Sequence, residues 1–283
     1  MKIYNDCFPC ILRGSLDAAR LSCDDAVVHR QIMEKTMEKL SSAKLHDPPP
    51  LIAQHTQRQI KKITGNNDPY KKLKVKYNKF AKNILPELEN LLHDSKDPFV
   101  MAVKISLAGN IIDFGAMSDK GEAVFLNDIK NTINNEIKGN IEAFNQKIKK
   151  AKKILWLGDN TGEIVLDRLL LEQLDTQKII YAVRGFPILN DATMEDAIDA
   201  GITKLVKVID NGTDIPGTIL PLCSQEFRDE FAKADLIISK GQGNFETLDH
   251  DDKRIVFLFK VKCRVVAENS GFNEGDSVVL MHS

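Results

Sequence analysis

From residue 151 onward, short apolar runs rich in β-branched residues alternate with segments that suit helices. The runs are 153–157 (KILWL), 178–183 (KIIYAV), 204–209 (KLVKVI), 234–239 (ADLIIS) and 254–261 (RIVFLFKV). Helix-compatible sequence fills 162–175, 191–200 and 224–233 between them. A strand that is apolar along its whole length needs cover on both faces, and a β-α-β-α order lays successive strands parallel. The pattern predicts an α/β fold with a mostly parallel, Rossmann-like sheet over 151–283. Residues 277–281 (SVVLM) predict a last edge strand.

The preceding 150 residues read as helical and predict a separate helical N-terminal domain. Asp24 and Asp25 suit the start of a helix over 24–41. Asp47 and the prolines 48–50 break the chain and start a second helix over 51–64, stopped at Gly65. A third fits 69–93, with a restart at Pro86. Residues 98–112 are almost wholly apolar and predict a buried helix, and 121–150 predict a polar one leading into the sheet.

Composition removes several classes. A hydrophobic fraction of 43% over 283 residues fills a real core. No apolar run approaches the ~18 residues of a membrane span. Met1 to Cys10 holds Asp6, Cys7 and Pro9 and no apolar stretch of the signal-peptide kind, so a cytoplasmic protein is expected. The net charge of -1 gives no overall pull towards nucleic acid or membrane. It hides an asymmetry: residues 1–150 carry 24 Lys and Arg against 18 Asp and Glu, and residues 151–283 carry 15 against 22.

Ligands of open α/β sheets bind beyond the carboxyl ends of the strands. There the sequence places Gly158-Asp159-Asn160-Thr161-Gly162-Glu163, then 184–193 with Asp191, then Asp210 to Asp214, then Lys240-Gly241-Gln242-Gly243-Asn244-Phe245-Glu246. One such loop is ordinary turn chemistry. Four at one edge predict a polar site. Asp159, Asn160 and Asp191 offer oxygens that suit a hard divalent cation, and no histidine lies in these loops to suggest zinc or copper. Lys240 with Gly241, Gly243 and the Asn244 backbone has the make-up of a phosphate cradle. A hard cation beside such a nest points to phosphoryl chemistry. Capping is the plain alternative, because Asn160 and Glu163 have capping-box spacing and Asp191 suits an N-cap. Neither GDNTGE nor the GxG at 241–243 is the dinucleotide fingerprint, which disfavours a nicotinamide cofactor.

At these residues the chain resembles a known family. GDNTGEIVLD (158–167), RGFPILNDATMEDA (184–197) and KGQGNFE (240–246), in this order, are similar to motifs of the DUF89 family of metal-dependent damage-control phosphatases. AGNIID (108–113) resembles its motif in the helical region. Asp6-Cys7-x-x-Cys10 and Lys262-Cys263 resemble its stand-alone prokaryotic branch, though Arg264 stands where proline is expected. The resemblance implies a divalent cation, Mg²⁺, Mn²⁺, Co²⁺ or Ni²⁺, held by Asp159, Asn160 and Asp191. It implies that Asn110 and Lys240 face the phosphate of a small phosphorylated substrate: a sugar phosphate, a nucleotide or a cofactor phosphate. It also accounts for an amide at Asn110 inside an apolar run, with Asp113 one turn on. Glu163 and Asp167, a turn apart on one helix face, are the candidates to orient the attacking water. A covalent phospho-aspartate stays open beside direct attack by water.

Other features offer rivals. Five cysteines, Cys7, Cys10, Cys23, Cys223 and Cys263, argue against a disulfide framework. Cys7, Cys10 and Cys263 form a second metal or redox site or are plain thiols. The basic stretch from Arg58 to Lys82, with Tyr70, Tyr77 and Phe80, is either a solvated helix face with inward aromatics or a nucleic-acid surface. Of the six histidines none shows ligand spacing, and His250 in a DHDD cluster falls near the cleft rim. The leading expectation is a metal-dependent phosphatase. Its rivals are a methyltransferase using S-adenosylmethionine and a non-catalytic nucleic-acid binder.

Overall fold

A computed structural model describes residues 1–110, 117–248, 250 and 252–282, without the side chains of 117–125. Asp113 and the Asp249 and Asp251 of the DHDD cluster lie outside the described residues.

Three helices come first: α1 (Cys7–Ser22), α2 (Ala26–Ser41) and α3 (Pro49–Thr64). Asp25 caps α2 by accepting from the Val27 N–H, and Gly65 ends α3 in the left-handed region. Next come α4 (Lys71–His93), α5 (Pro98–Gly109) and α6 (Met117–Asn134). α4 runs unbroken through Pro86 rather than restarting there. Pro86 lies on the exposed face, where the backbone carbonyl it frees meets water.

The remaining elements alternate: β1 (Lys138–Gly139), α7 (Ile141–Lys150), β2 (Ile154–Leu157), α8 (Glu163–Leu171), β3 (Ile179–Val183), α9 (Met194–Asp199) and β4 (Lys207–Asp210), then α10 (Gln225–Lys233), β5 (Leu236–Lys240), α11 (Gln242–Thr247), β6 (Ile255–Lys260), α12 (Arg264–Ser270) and β7 (Ser277–Met281). The strands form one sheet in the order β1-β7-β6-β5-β2-β3-β4. Every pair is parallel except β6 with β7. The fold class read from the strand pattern is therefore the observed one, with all six predicted strands present.

Three local expectations need correction. The helix predicted over 121–150 is two helices around β1, because Gly139 takes a positive φ of 103° and Asn140 caps α7. Helices α1, α11 and α12 went unpredicted. The predicted boundary at 150 and 151 does not divide the core: Tyr77 of α4, Val103 of α5, Phe144 of α7, Trp156 of β2 and Ile238 of β5 belong to one buried cluster. A second cluster, with Phe227, Phe245 and Phe257, covers the other face of the sheet.

Charge crosses the seam between the two halves. Arg58 donates to both Asp214 oxygens at 2.6 and 2.9 Å, Lys82 meets Asp199 at 2.7 Å, Lys74 meets Asp196 at 3.2 Å, and Lys71 meets Glu195. Lys61 donates to the Pro187 carbonyl. Tyr70, Tyr77 and Phe80 are buried. Part of the basic stretch is paired with the acidic half of its own chain, and its aromatics point inward. Among the described residues no helix is long and apolar enough to cross a membrane.

Candidate active site

β2 is the turning point of the sheet. The chain fills β3 and β4 on one side of it and β5 and β6 on the other, so a crevice opens beyond β2 and β5. Leu157 pairs with Ser239, which sets Gly158-Asp159 level with Lys240-Gly241. Gly241, at φ 80°, is required there: a Cβ on it would lie 1.9 Å from Asp159 Oδ2.

The loops after β2 and β3 are laced together. Asn160 and Asp191 form an antiparallel bridge, the Ala192 N–H donates to the Asp159 carbonyl at 2.8 Å, and the Thr161 N–H donates to the Asn190 carbonyl at 2.9 Å. Leu189, in the same loop, takes a positive φ of 45°, the strained backbone that tends to gather at functional sites. These links bring Asp159, Asn160 and Asp191 to one place. All three are buried and all three line a cleft of about 530 Å³, well within the range of small-molecule sites. Asn160 donates to Asp159 Oδ2 at 2.6 Å.

Asn110, at the end of α5, reaches the Asp159 carboxylate but is buried and does not itself line the cleft, where the resemblance implied that it faces the phosphate. Its amide donates to Asp159 Oδ2 at 3.2 Å and to Glu163 Oε2 at 3.0 Å, and its carbonyl accepts from the Lys260 N–H at 3.4 Å. The close approach of α5 to α8 depends on Gly109, where a Cβ would meet Glu163 at 3.1 Å.

Other candidates sit a layer deeper. Lys240 does not line the cleft. It is fully buried, and its Nζ donates to Asp167 at 2.6 Å, to Ser106 Oγ at 2.6 Å and to the Ser106 carbonyl at 3.0 Å, with Glu163 Oε1 at 2.9 Å. Asp167 also accepts from Ser106 Oγ and from the Tyr181 hydroxyl, at 2.6 and 2.8 Å, so both its oxygens are engaged away from the cleft. The expectations that Lys240 faces a phosphate and that Asp167 orients water meet a side-chain arrangement that turns both inward. Asn244 is likewise tied down, donating to the Lys240 carbonyl at 2.8 Å and accepting from Thr218 at 2.8 Å. Gly243 lines the cleft.

Sequence reading met Arg184 and Lys262 only within resemblance motifs and gave neither a role. Arg184 is 2% exposed, and its Nε donates to Asp191 Oδ2 at 2.6 Å while Nη2 lies 3.7 Å from Asp159. An arginine at the last position of an apolar run, just before glycine, was the available signal. Lys262 lines the cleft, and its charge bears on Asp159.

Burial, reinforced by Glu163 and Asp191, pushes the Asp159 carboxyl well above the usual carboxylate range; Arg184 and Lys262 oppose this. Burial lowers the Lys240 ammonium, but Asp167 and Glu163 outweigh it and hold the group above its ordinary value. Four buried carboxylates, Asp159, Glu163, Asp167 and Asp191, thus face two buried cations, Arg184 and Lys240. With all four ionised, two further positive charges would balance them, the charge of one divalent ion. The donors that reach the cleft, two carboxylates and an amide able to turn its oxygen outward, suit a hard cation.

The cysteines give no such set. Cys7, Cys10 and Cys263 line the same cleft and are not joined in a disulfide, and among the described residues no three His, Cys, Asp or Glu side chains are placed to hold a metal ion. His250 is not at the rim: it stacks on Phe245 at 4.3 Å and hydrogen-bonds the Phe245 carbonyl at 2.6 Å.

Residues 3–278 match the family model of the damage-control phosphatase ARMT1-like domain. A damage-control phosphatase from Archaeoglobus fulgidus is 34% identical over 98% of each chain. One from Pyrococcus horikoshii is 33% identical over 99% of this chain and 98% of its own. An uncharacterized protein from Methanocaldococcus jannaschii is 42% identical over 99% of this chain and 95% of its own. The crystal structure of a DUF89 family protein from Pyrococcus horikoshii superposes with a TM-score of 0.90 at 31% identity, covering all of both chains.

Proposed function

The chain belongs to the ARMT1-like, or DUF89, damage-control phosphatase family, and from that premise we propose a divalent-metal-dependent phosphatase of small phosphorylated metabolites. The observation that carries the reading is the charge deficit at the floor of the cleft. Four buried carboxylates around two buried cations are costly to hold unless a further positive charge joins them. A sugar phosphate, a nucleotide or a cofactor phosphate brings two negative charges that such an ion would bind.

Asp159, Asn160 and Asp191 would hold the ion, which when bound supplies Lewis-acid polarisation of a phosphoryl group and an acidified water. The other roles belong to the chain. Arg184 fixes the Asp191 carboxylate through a 2.6 Å charged hydrogen bond. Asn110 ties Asp159 to Glu163 through one amide. Lys240 holds Glu163 and Asp167 in place from behind. Lys262, on the cleft wall, adds positive charge on the side where a phosphate would bind. Glu163, expected with Asp167 to orient water, is fully buried and off the cleft, its oxygens held by Lys240, Asn110 and Asn160, so both acids act as supports of the site.

A screen over sugar phosphates, nucleotides and cofactor phosphates with Mg²⁺, Mn²⁺, Co²⁺ or Ni²⁺ tests the reading. Turnover is expected with at least one metal, and loss of about 10³-fold or more with chelator or in Asp159→Ala, the scale of a removed electrostatic stabiliser. Full activity in either case would falsify the metal assignment, and silence across the whole screen would remove the phosphatase.

A further inference from the structure

We propose that Glu246 donates the proton that the leaving oxygen needs, which makes this cleft a site for phosphate esters of ordinary alcohols. The proposal rests on the phosphatase reading. A metal ion can stabilise the phosphoryl group, yet an alkoxide departs slowly unless it is protonated as the bond breaks.

The position comes from α11. Its first residue follows Gly241, whose backbone abuts Asp159. Glu246 stands four residues after Gln242, one turn or ~6 Å further along, and both line the cleft. A phosphate seated at Asp159 would therefore direct its ester oxygen towards the Glu246 wall.

The group is also held for the task. Gln242 Nε2 donates to Glu246 Oε1 at 2.8 Å, while Gln242 Oε1 accepts from the Lys262 N–H at 3.0 Å. The amide is fixed at both ends and fixes one carboxylate oxygen. Among the described residues Oε2 accepts no hydrogen bond, and Glu246 itself lines the cleft.

Alternatives along the lining are few. No histidine lines the cleft among the described residues. Asp159 and Asp191 belong to the ion, Asp6 is exposed, and lysine or arginine at the wall is too basic to release a proton readily. Burial pushes the Glu246 carboxyl up to about 7, although Gln242, the Met1 amino group and Lys262 pull it down. The charged and titratable groups acting on it are those two cations and the Cys7 thiol of α1. It therefore keeps its proton up to near-neutral pH.

The step balances. Water forms a bond to phosphorus as the bond from phosphorus to the ester oxygen breaks. That oxygen leaves with the electron pair of the broken bond and takes the Glu246 proton to give the alcohol. Of the two water protons, one stays on the phosphate and the other returns through solvent to the Glu246 carboxylate.

The test compares Glu246→Gln with wild type on glycerol phosphate, whose leaving group is a poor alkoxide, and on p-nitrophenyl phosphate, whose leaving group needs no proton. General-acid catalysis is worth ~10²-fold or more. Glu246→Gln is expected to lose about 100-fold in kcat/KM on glycerol phosphate and less than about 10-fold on the aryl ester. Wild-type kcat/KM on glycerol phosphate falls as pH rises through about 7, and the variant lacks that limb. Glu246→Asp, which keeps the acid on a shorter arm, recovers part of the loss. Equal losses on both esters overturn the proposal and leave the phosphatase standing. A wild type inactive on both esters but active elsewhere in the metabolite screen overturns the proposal alone, and silence across that screen as well overturns both.

Discussion

Two carboxylate layers lie back to back at the same sheet edge, and they differ in what surrounds them. In the rear layer Glu163 and Asp167 share the Lys240 ammonium, and Asp167 takes two hydroxyl donors besides. No rear-layer side chain named here reaches the cleft. In the front layer Asp159 and Asp191 share Arg184, which favours Asp191 at 2.6 Å over Asp159 at 3.7 Å. Asp159 is left with two neutral amides and a raised carboxyl. Residue type does not separate structural from functional acids here. Access to the cleft does: Asp159 and Asp191 line it, and Glu163 and Asp167 do not.

Removing the rear cation gives the largest effect. Lys240→Met leaves two wholly buried carboxylates without their counter-ion, at a cost of ~3–5 kcal/mol. Urea denaturation reads it directly, and Lys240→Met joined to Asp167→Asn should recover part of the loss. A single-variant cost under about 1 kcal/mol would break the distinction between the layers.

The front layer is expected to behave in the opposite way. Mn²⁺ at about 100 times its dissociation constant should stabilise the wild type by ~2.7 kcal/mol, and Asp159→Asn should abolish that gain. Without metal the same variant should be no less stable than wild type, because it deletes a charge crowded by Glu163 and Asp191. Thermal midpoints with and without metal decide the point.

That Asp159, Asn160 and Asp191 share one edge was legible in the sequence, whereas the burial of Lys240 and Asp167 was not. Asp159, Asn160 and Asp191 follow apolar strands directly, and strand order fixes the edge they share. Lys240 also follows a strand, which made it look like a phosphate ligand. What turns it inward is Ser106 on α5 and two acids on α8, contacts separated by 134 and 73 residues that no local pattern encodes. The sheet itself was plain because buried parallel strands are uniformly apolar. Helices α11 and α12 were not, at six and seven residues between strands and glycines, too short for periodicity to register. The charge asymmetry between the halves was visible, but its meaning needed the seam.

That seam supplies the third environment and the smallest effect. Asp214 is nearly buried, while the Arg58 side chain it meets is 59% exposed, so water screens the pair. Burial alone would raise the Asp214 carboxyl, but donors from Arg58 and Gln54 outweigh it and hold the group below the usual range. A carboxyl depressed by folding adds stability above its unfolded pKa, near ~4, and that stability is lost as pH falls through the lower folded value. Asp214→Asn should therefore cost no more than about 1 kcal/mol at neutral pH and nothing in acid below the folded value. Thermal midpoints of wild type and variant should converge as pH falls through that window. A gap that stays constant would mean that Asp214 acts through packing alone, and a loss near that of Lys240→Met would place the seam with the rear layer.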